Sequence, residues 1–391
     1  MIKRIEIENY KSVRKLEFNL GRFNILIGEN GCGKSNVLEA IAMAGAASAH
    51  KLDNEYFSNR GIRVAAPTFM RSAFENADEK NIVIKVVNDL SNQFKYNLYY
   101  DENVTPQKWV DANNESTNEL MKAYASIMKE DKTATLSDLK KVLEERFQSG
   151  EEVNVVVESQ PKSIRLKFLS NEIPELSSFV IYSLEESKLR MFDNSNSLYP
   201  FGRNGEGLFA YLKELAQDEK KQEVIAEIKE NLDVLDWYDD MEIPKNQLSQ
   251  DYSIRIKDRY IDESLNYFDQ RSTNEGFLNL LFYLTLFISK DTPSFFAIDN
   301  IESSFNPKMC RKVVGLLAEL AVKHGKQVIA TTHNPAVLDG LDLSNDEKLF
   351  VVRRDLDGHT KLSPIKYNCE AKVPLSEAWM KGYIGGLPNN F

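Results

Sequence analysis

Eight residues constrain this chain more than any others. Gly28-Glu29-Asn30-Gly31-Cys32-Gly33-Lys34-Ser35 fits the spacing Gly-x4-Gly-Lys-Ser/Thr at every fixed position. The mostly apolar run Phe23 to Ile27 leads into it, and Val37, Leu38, Ile41 and Ala42 follow at helical spacing, so the segment reads as strand, loop, helix. In that setting each position has a defined task. The glycines let backbone N–H groups turn inward around the β- and γ-phosphates of a nucleotide, and the helix N-terminus adds partial positive charge. Lys34 supplies a point charge and the Ser35 hydroxyl a ligand for Mg2+. Asn30, Gly31, Cys32, Gly33, Lys34, Ser35 and Asn36 are therefore the expected nucleotide-binding residues, with ATP and Mg2+ as cofactors. Cys32, so close to a helix N-terminus, is expected either as a reactive thiolate or as an inert small residue filling the turn.

A second carboxylate site follows from the first. Ser294 to Ile298 reads as a short buried strand ending at Asp299, where a carboxylate at the carboxyl edge of a parallel sheet would hold the Mg2+ shell opposite Ser35. Asn300 comes next, and an amide cannot take a proton from an attacking water. Hydrolysis is then slow, or Glu302 supplies the base from two residues further on. Gln327 to Ala330 is another buried strand, separated from the first by a helical pattern over Lys308 to Lys323. Strands alternating with helices in this way indicate an α/β fold around a parallel sheet.

The rest of the chain sets limits. Its 391 residues carry 49 basic and 59 acidic side chains, a net charge of 49 − 59 = −10. That balance excludes coating of nucleic acid or anionic membrane by bulk charge and leaves only local contacts for nucleic acid, such as Lys308, Arg311 and Lys312 or the lobe at 116–148. Three scattered cysteines, Cys32, Cys310 and Cys369, suggest neither a disulfide framework nor a zinc site. The N-terminus alternates apolar and charged residues rather than forming a signal peptide, and the apolar stretch Gly276 to Ser289 is too short to span a bilayer. A cytoplasmic protein without a membrane segment is expected, with that stretch a helix buried on all sides.

The pattern divides the chain into 1–74, carrying the phosphate loop, an inserted α+β lobe at 75–178, a second part of the head at 179–365, and a tail at 366–391. Strands are expected at Ile82 to Val87, Lys95 to Tyr100, Val153 to Val157 and Phe179 to Tyr182. Helices are expected within 116–148, without a sustained heptad, and at Glu206 to Leu215 and Glu219 to Leu232. In the tail, Trp379, Met380, Tyr383 and Ile384 share one helical face, which either docks on the chain's own core or presents an aromatic anchor to a partner.

Several segments together carry a resemblance. IKRIEIENYKSVRKLEF before GENGCGKSN, then AIDNIESSFNP and TTHNP, resemble the ABC-type ATPase heads of RecF, the structural-maintenance-of-chromosomes proteins and the OLD family. STNEGFLNLL followed by IDNIESSFNP and TTHNPAVLDGL is similar to small stand-alone AAA-family ATPases with ABC-like motifs, often encoded beside nucleases in bacterial anti-phage loci. The resemblance covers about residues 1–45 and 270–345, and more weakly 179–215. It implies a P-loop NTPase of ABC-ATPase-head type that dimerises around ATP. Ser272, Asn274, Glu275 and Gly276 would be a degenerate signature read by the second subunit, although the same residues also make an ordinary helix cap. Ser303 to Asn306 would take the D-loop position, His333 the switch histidine, Tyr182 to Glu186 the Q-loop, and Lys11 to Arg14 the flank of adenine. The implied function is a nucleotide-dependent switch or scaffold in anti-phage defence, acting on a separately encoded effector such as a nuclease. The alternatives are a DNA-repair ATPase that binds ends or gaps, and a scaffold that binds nucleotide without hydrolysing it.

Overall fold

A computed structural model describes residues 1–74, 81–102, 107–113, 172–191, 199–244, 254–262, 267–366 and 373–387, and the backbone of 155–160 and 163–168. The expected helices within 116–148, the start of the strand at Val153, and Cys369 lie outside the described residues.

The chain opens with an antiparallel pair, β1 (Ile2–Tyr10) and β2 (Val13–Asn19), in which Ile5 and Ile7 face inward between half-buried glutamates. A register shift between Ile2 and Arg4 brings Ile2 to the buried side as well. β3 (Phe23–Ile27) leads through the glycine loop into α1 (Lys34–Ser48). β4 (Ile82–Asn88), β5 (Gln93–Asp101) and β6 (Lys108–Asp111) then extend the first pair into one antiparallel sheet of order β2-β1-β4-β5-β6, with Ile7 opposite Ile84. The strands expected to begin an inserted lobe thus hydrogen-bond to the N-terminal strand. β7 (Val155–Gln160) and β8 (Ser163–Phe168) form a separate ribbon.

β9 is short (Ile181–Tyr182); the expected strand starts two residues earlier, but Phe179 packs its ring on Phe295 instead of extending the ladder. α2 (Leu208–Gln217) begins at Leu208 rather than Glu206, because Gly207 turns left-handed at φ 81° before it. A 3-10 turn at Glu219–Lys221 precedes α3 (Gln222–Leu232). β10 (Tyr238–Glu242), β11 (Arg255–Asp258) and β12 (Phe268–Asp269) make a small sheet. α4 (Glu275–Ile288), β13 (Phe295–Ile298), α5 (Pro307–Lys323), β14 (Gln327–Thr331), β15 (Glu347–Arg354), β16 (Thr360–Pro364) and α6 (Leu375–Met380) complete the chain.

The central layer is a six-stranded sheet of order β16-β15-β3-β14-β13-β9, parallel except for β16. Its inner strands are apolar on both faces because both faces are covered. Phe23, Ile25 and Ile27 of β3 join the core with α4, α5, α2 and α3, whereas Leu26 faces α1 and the antiparallel sheet. α1 lies between two sheets and is buried nearly all round, so its small residues matter: Gly45 approaches Leu176 so closely that a Cβ would meet its carbonyl oxygen at 2.4 Å. α4 is the expected all-round buried helix, with every residue from Phe277 to Ile288 buried. Of the two polar residues interrupting it, Thr285 donates its hydroxyl to the Leu281 carbonyl and Asn279 donates its Nδ2 to that of Ser303, while Asn279 Oδ1 stays without a partner among the described residues. Among the described residues no helix is long and apolar enough to cross a membrane.

Candidate nucleotide site

The glycine loop leaves β3 at the carboxyl edge of the sheet. Gly28 (φ 147°) and Gly33 (φ 111°) sit where only glycine fits: a Cβ on Gly28 would lie 2.1 Å from the Val352 carbonyl oxygen, and one on Gly33 equally close to Thr360 Oγ1. α1 begins directly afterwards with no side-chain cap and no acidic residue in its first turn. Its N-terminal N–H groups are therefore free for an anion. Lys34 is buried and curls back on the loop, donating to the carbonyls of Gly28 (2.8 Å) and Glu29 (3.0 Å). Burial lowers its pKa, opposed by the neighbouring carboxylates of Asp299 and Glu302, so these groups lie within electrostatic reach of the lysine. Ser35 and Asn36 are half-buried in the first turn; Asn30 and Gly31 stand exposed at the rim.

Asp299 follows β13, its N–H donating to the Tyr182 carbonyl of β9 (2.8 Å). One carboxylate oxygen accepts the Thr331 hydroxyl proton. Asn300 takes a left-handed conformation (φ 57°) with its N–H on Thr331 Oγ1 at 2.9 Å. Glu302 Oε1 accepts the His333 backbone N–H (2.8 Å), while Oε2 is buried without a partner among the described residues. Desolvation and then the Lys34 charge lower the His333 pKa, against the pull of Glu302 and Asp299. The fold thus brings the glycine loop, Lys34, Asp299, Glu302 and His333 from three strand ends to one edge of the sheet.

Other expected residues lie apart from this cluster. Ser272 bonds to Asp269 through both its N–H and its hydroxyl (3.1 Å each). Asn274 caps α4, accepting the Phe277 N–H at 2.8 Å, so the capping reading of this segment holds within the chain. Glu275 and Gly276 form the first turn of α4, and Gly276 abuts the Ser304 carbonyl. With Trp237, Phe305 and Lys312 this segment borders a cavity of about 340 Å3. Lys308, Arg311 and Lys312 lie exposed on α5. In the segment expected as the Q-loop, Glu186 is bound by Arg190 at 2.6 Å. Cys32 is buried, and burial raises its thiol pKa despite the nearby Lys34, which corrects the reactive-thiolate expectation.

Four supporting residues were not foreseeable from sequence pattern. Thr331 holds Asp299 and Asn300 as described. Arg190 donates to the carbonyls of Gln270, Arg271 and Thr273 (2.9 Å each), fixing the loop before α4. Arg354 and Thr360 grip the glycine loop from outside, on the carbonyls of Gly31 (3.1 Å) and Cys32 (2.9 Å). A doublet such as Thr331-Thr332 at a strand end was the only visible trace of any of them.

A family model described as "AAA domain, putative AbiEii toxin, Type IV TA system" matches residues 23–339. The DNA replication and repair protein RecF of Bacillus thuringiensis (strain Al Hakam) and that of Bacillus cereus (strain B4264) are each 38% identical over 55 residues. Those residues are 14% of this chain and 15% of each RecF chain, so the chain spans about 15% of the length of these curated relatives. The SMC head domain from Thermotoga maritima aligns with 94% of this chain over 99% of its own at 14% identity and a TM-score of 0.47. The Smc head domain with an extended coiled coil bound to the C-terminal domain of ScpA, from Pyrococcus furiosus, aligns over 93% and 96% at 14% identity and 0.41.

Proposed function

We propose, for a chain that belongs to the AAA-domain family of the AbiEii and type IV toxin–antitoxin description, an ATP-dependent switch in which two copies close around bound nucleotide. The observation that carries this reading is the uncapped start of α1, whose first residue, Lys34, lies within electrostatic reach of Asp299 and of Glu302 with its unpartnered oxygen. The donor set fits Mg2+ and a nucleotide triphosphate: a hydroxyl on Ser35 and a carboxylate on Asp299 for the cation, free N–H groups and one lysine for the phosphates. When bound, the cation would neutralise charge on the phosphate oxygens. The protein's own share is then to bind and to move a proton. Lys34 exchanges two loop carbonyls for phosphate, Glu302 takes the proton of the attacking water through its free oxygen, and the His333 backbone N–H keeps that carboxylate in place. The His333 side chain is assigned to the γ-phosphate and Asn300 to orientation without proton transfer.

Ser272, Asn274, Glu275 and Gly276 are assigned to the second copy's nucleotide, since Ser272 and Asn274 are exposed just before α4. The output is anti-phage defence through a separate effector such as a nuclease. A DNA-repair reading is favoured by the short RecF likeness and separated by whether DNA stimulates turnover. Light scattering with a non-hydrolysable ATP analogue tests the switch. The wild type doubles its mass, Lys34→Ala neither binds nor doubles, and Ser272→Arg binds but stays single. Unchanged affinity in Lys34→Ala would remove the nucleotide site, and a dimer in Ser272→Arg the shared-site arrangement.

A further inference from the structure

Lys34 and Asp299 carry opposite charges within electrostatic reach, yet no ion pair joins them among the described residues. Each is tethered elsewhere: Lys34 to the carbonyls of Gly28 and Glu29, and Asp299 to Thr331. Thr331 is fully buried at the end of β14, opposite Leu26 of the strand that carries the glycine loop. Its hydroxyl has one proton, given to Asp299 Oδ1, and its oxygen in turn accepts the Asn300 N–H at 2.9 Å. Its own carbonyl takes the Ile301 N–H at 3.1 Å. Three consecutive residues after β13 are thus fixed by one residue of the neighbouring strand, and the β-branched side chain has little freedom to turn away.

We infer that Thr331 is a positioning residue that holds the Asp299 carboxylate off Lys34 and leaves its second oxygen aimed at the cation. The inference rests on the nucleotide-site reading above. Without the hydroxyl, the carboxylate is free to rotate onto the lysine, and cation and phosphate lose their separate partners together.

The test is a Mg2+ titration of fluorescent ATP-analogue binding, read as the midpoint in Mg2+, alongside analogue affinity in chelator. Thr331→Val and Thr331→Ala should each raise the midpoint by about tenfold or more, the usual cost of losing a group that orients a metal ligand. Affinity in chelator should fall as well, by about threefold or more, because Lys34 is drawn from the phosphates onto Asp299, and Thr331→Ser, which keeps the hydroxyl, should restore both readings to within about threefold of the wild type. Thermal melting confirms that each variant is folded. A midpoint unmoved in both apolar variants while Asp299→Asn moves it would overturn the role of Thr331 alone, as would a serine variant no better than valine. A midpoint unmoved in Asp299→Asn as well would remove the metal assignment, and the inference with it.

Discussion

Asn300 stands at φ 57°, a conformation that costs most L residues roughly 1–2 kcal/mol and that asparagine tolerates best after glycine. Read from the sequence alone, the amide meant only that this position has no proton acceptor; the backbone supplies a conformational reason for it. The prediction at this scale follows. Asn300→Glu adds strain and should not raise turnover, whereas Glu302→Gln should lower it by roughly 10²–10⁴ with nucleotide affinity little changed, measured by steady-state phosphate release. A rise of about tenfold or more in Asn300→Glu would instead place the missing base at 300. The placement of Lys34 and Asp299 at strand ends was legible because the roles proposed for them confine residue type at fixed spacing from strand and helix. Thr331 and Thr360 were not, since a threonine is common everywhere and its partner is set by which strands become neighbours. Of the two expectations for Cys32 the reactive thiolate fails, because a helix terminus favours thiolate only where the sulfur keeps some solvent, and this one is buried.

Between residues and whole chain, one line of hydrogen bonds links four elements. Arg63 donates to Asn36 Oδ1 (3.0 Å), Asn36 Nδ2 to Ser12 Oγ (2.6 Å), and Thr360 Oγ1, 2.7 Å from Ser12, to the Cys32 carbonyl (2.9 Å). Since Thr360 gives its proton to Cys32, Ser12 must give its own to Thr360, so the donors run in one direction toward the glycine loop. Holding that carbonyl outward keeps the following N–H groups turned in. Thr360→Val should therefore weaken analogue binding by about fivefold or more, at about 1 kcal/mol per hydrogen bond lost, with Thr360→Ser near wild type by calorimetry. Equal affinity in the valine variant would show that the glycines alone shape the loop. Strand alternation was readable at 82–100, but not that those strands pair with β1, because alternation reports a face and is silent on the partner. Element ends were least legible where a glycine such as Gly207 decided them.

At the scale of the molecule the tail has chosen its own core. Leu375, Ala378 and Trp379 are buried, Ser376 is held by Asp339 through N–H and hydroxyl, and Gly386 rests against Gly28, where a Cβ on it would lie 3.6 Å from the Gly28 Cα. Met380 and Tyr383 point out to solvent. Removing 375–391 should lower the melting temperature by several degrees, since Leu375 and Trp379 alone bury about 3 kcal/mol or more of apolar contact. An unchanged melting temperature would assign the segment to a partner. The position of β3 has a consequence of another kind, for synthesis. Asn24 bonds to Val328 across 304 residues, and the strand's other neighbour, β15, is made later still. Until the ribosome has delivered both, the glycine loop hangs from a strand with two open edges, FNILI, and has no wall behind it. Such a nascent chain is sticky before it is competent, and a chain cut short ahead of β14 is a substrate for chaperones and proteases rather than a weak binder of ATP.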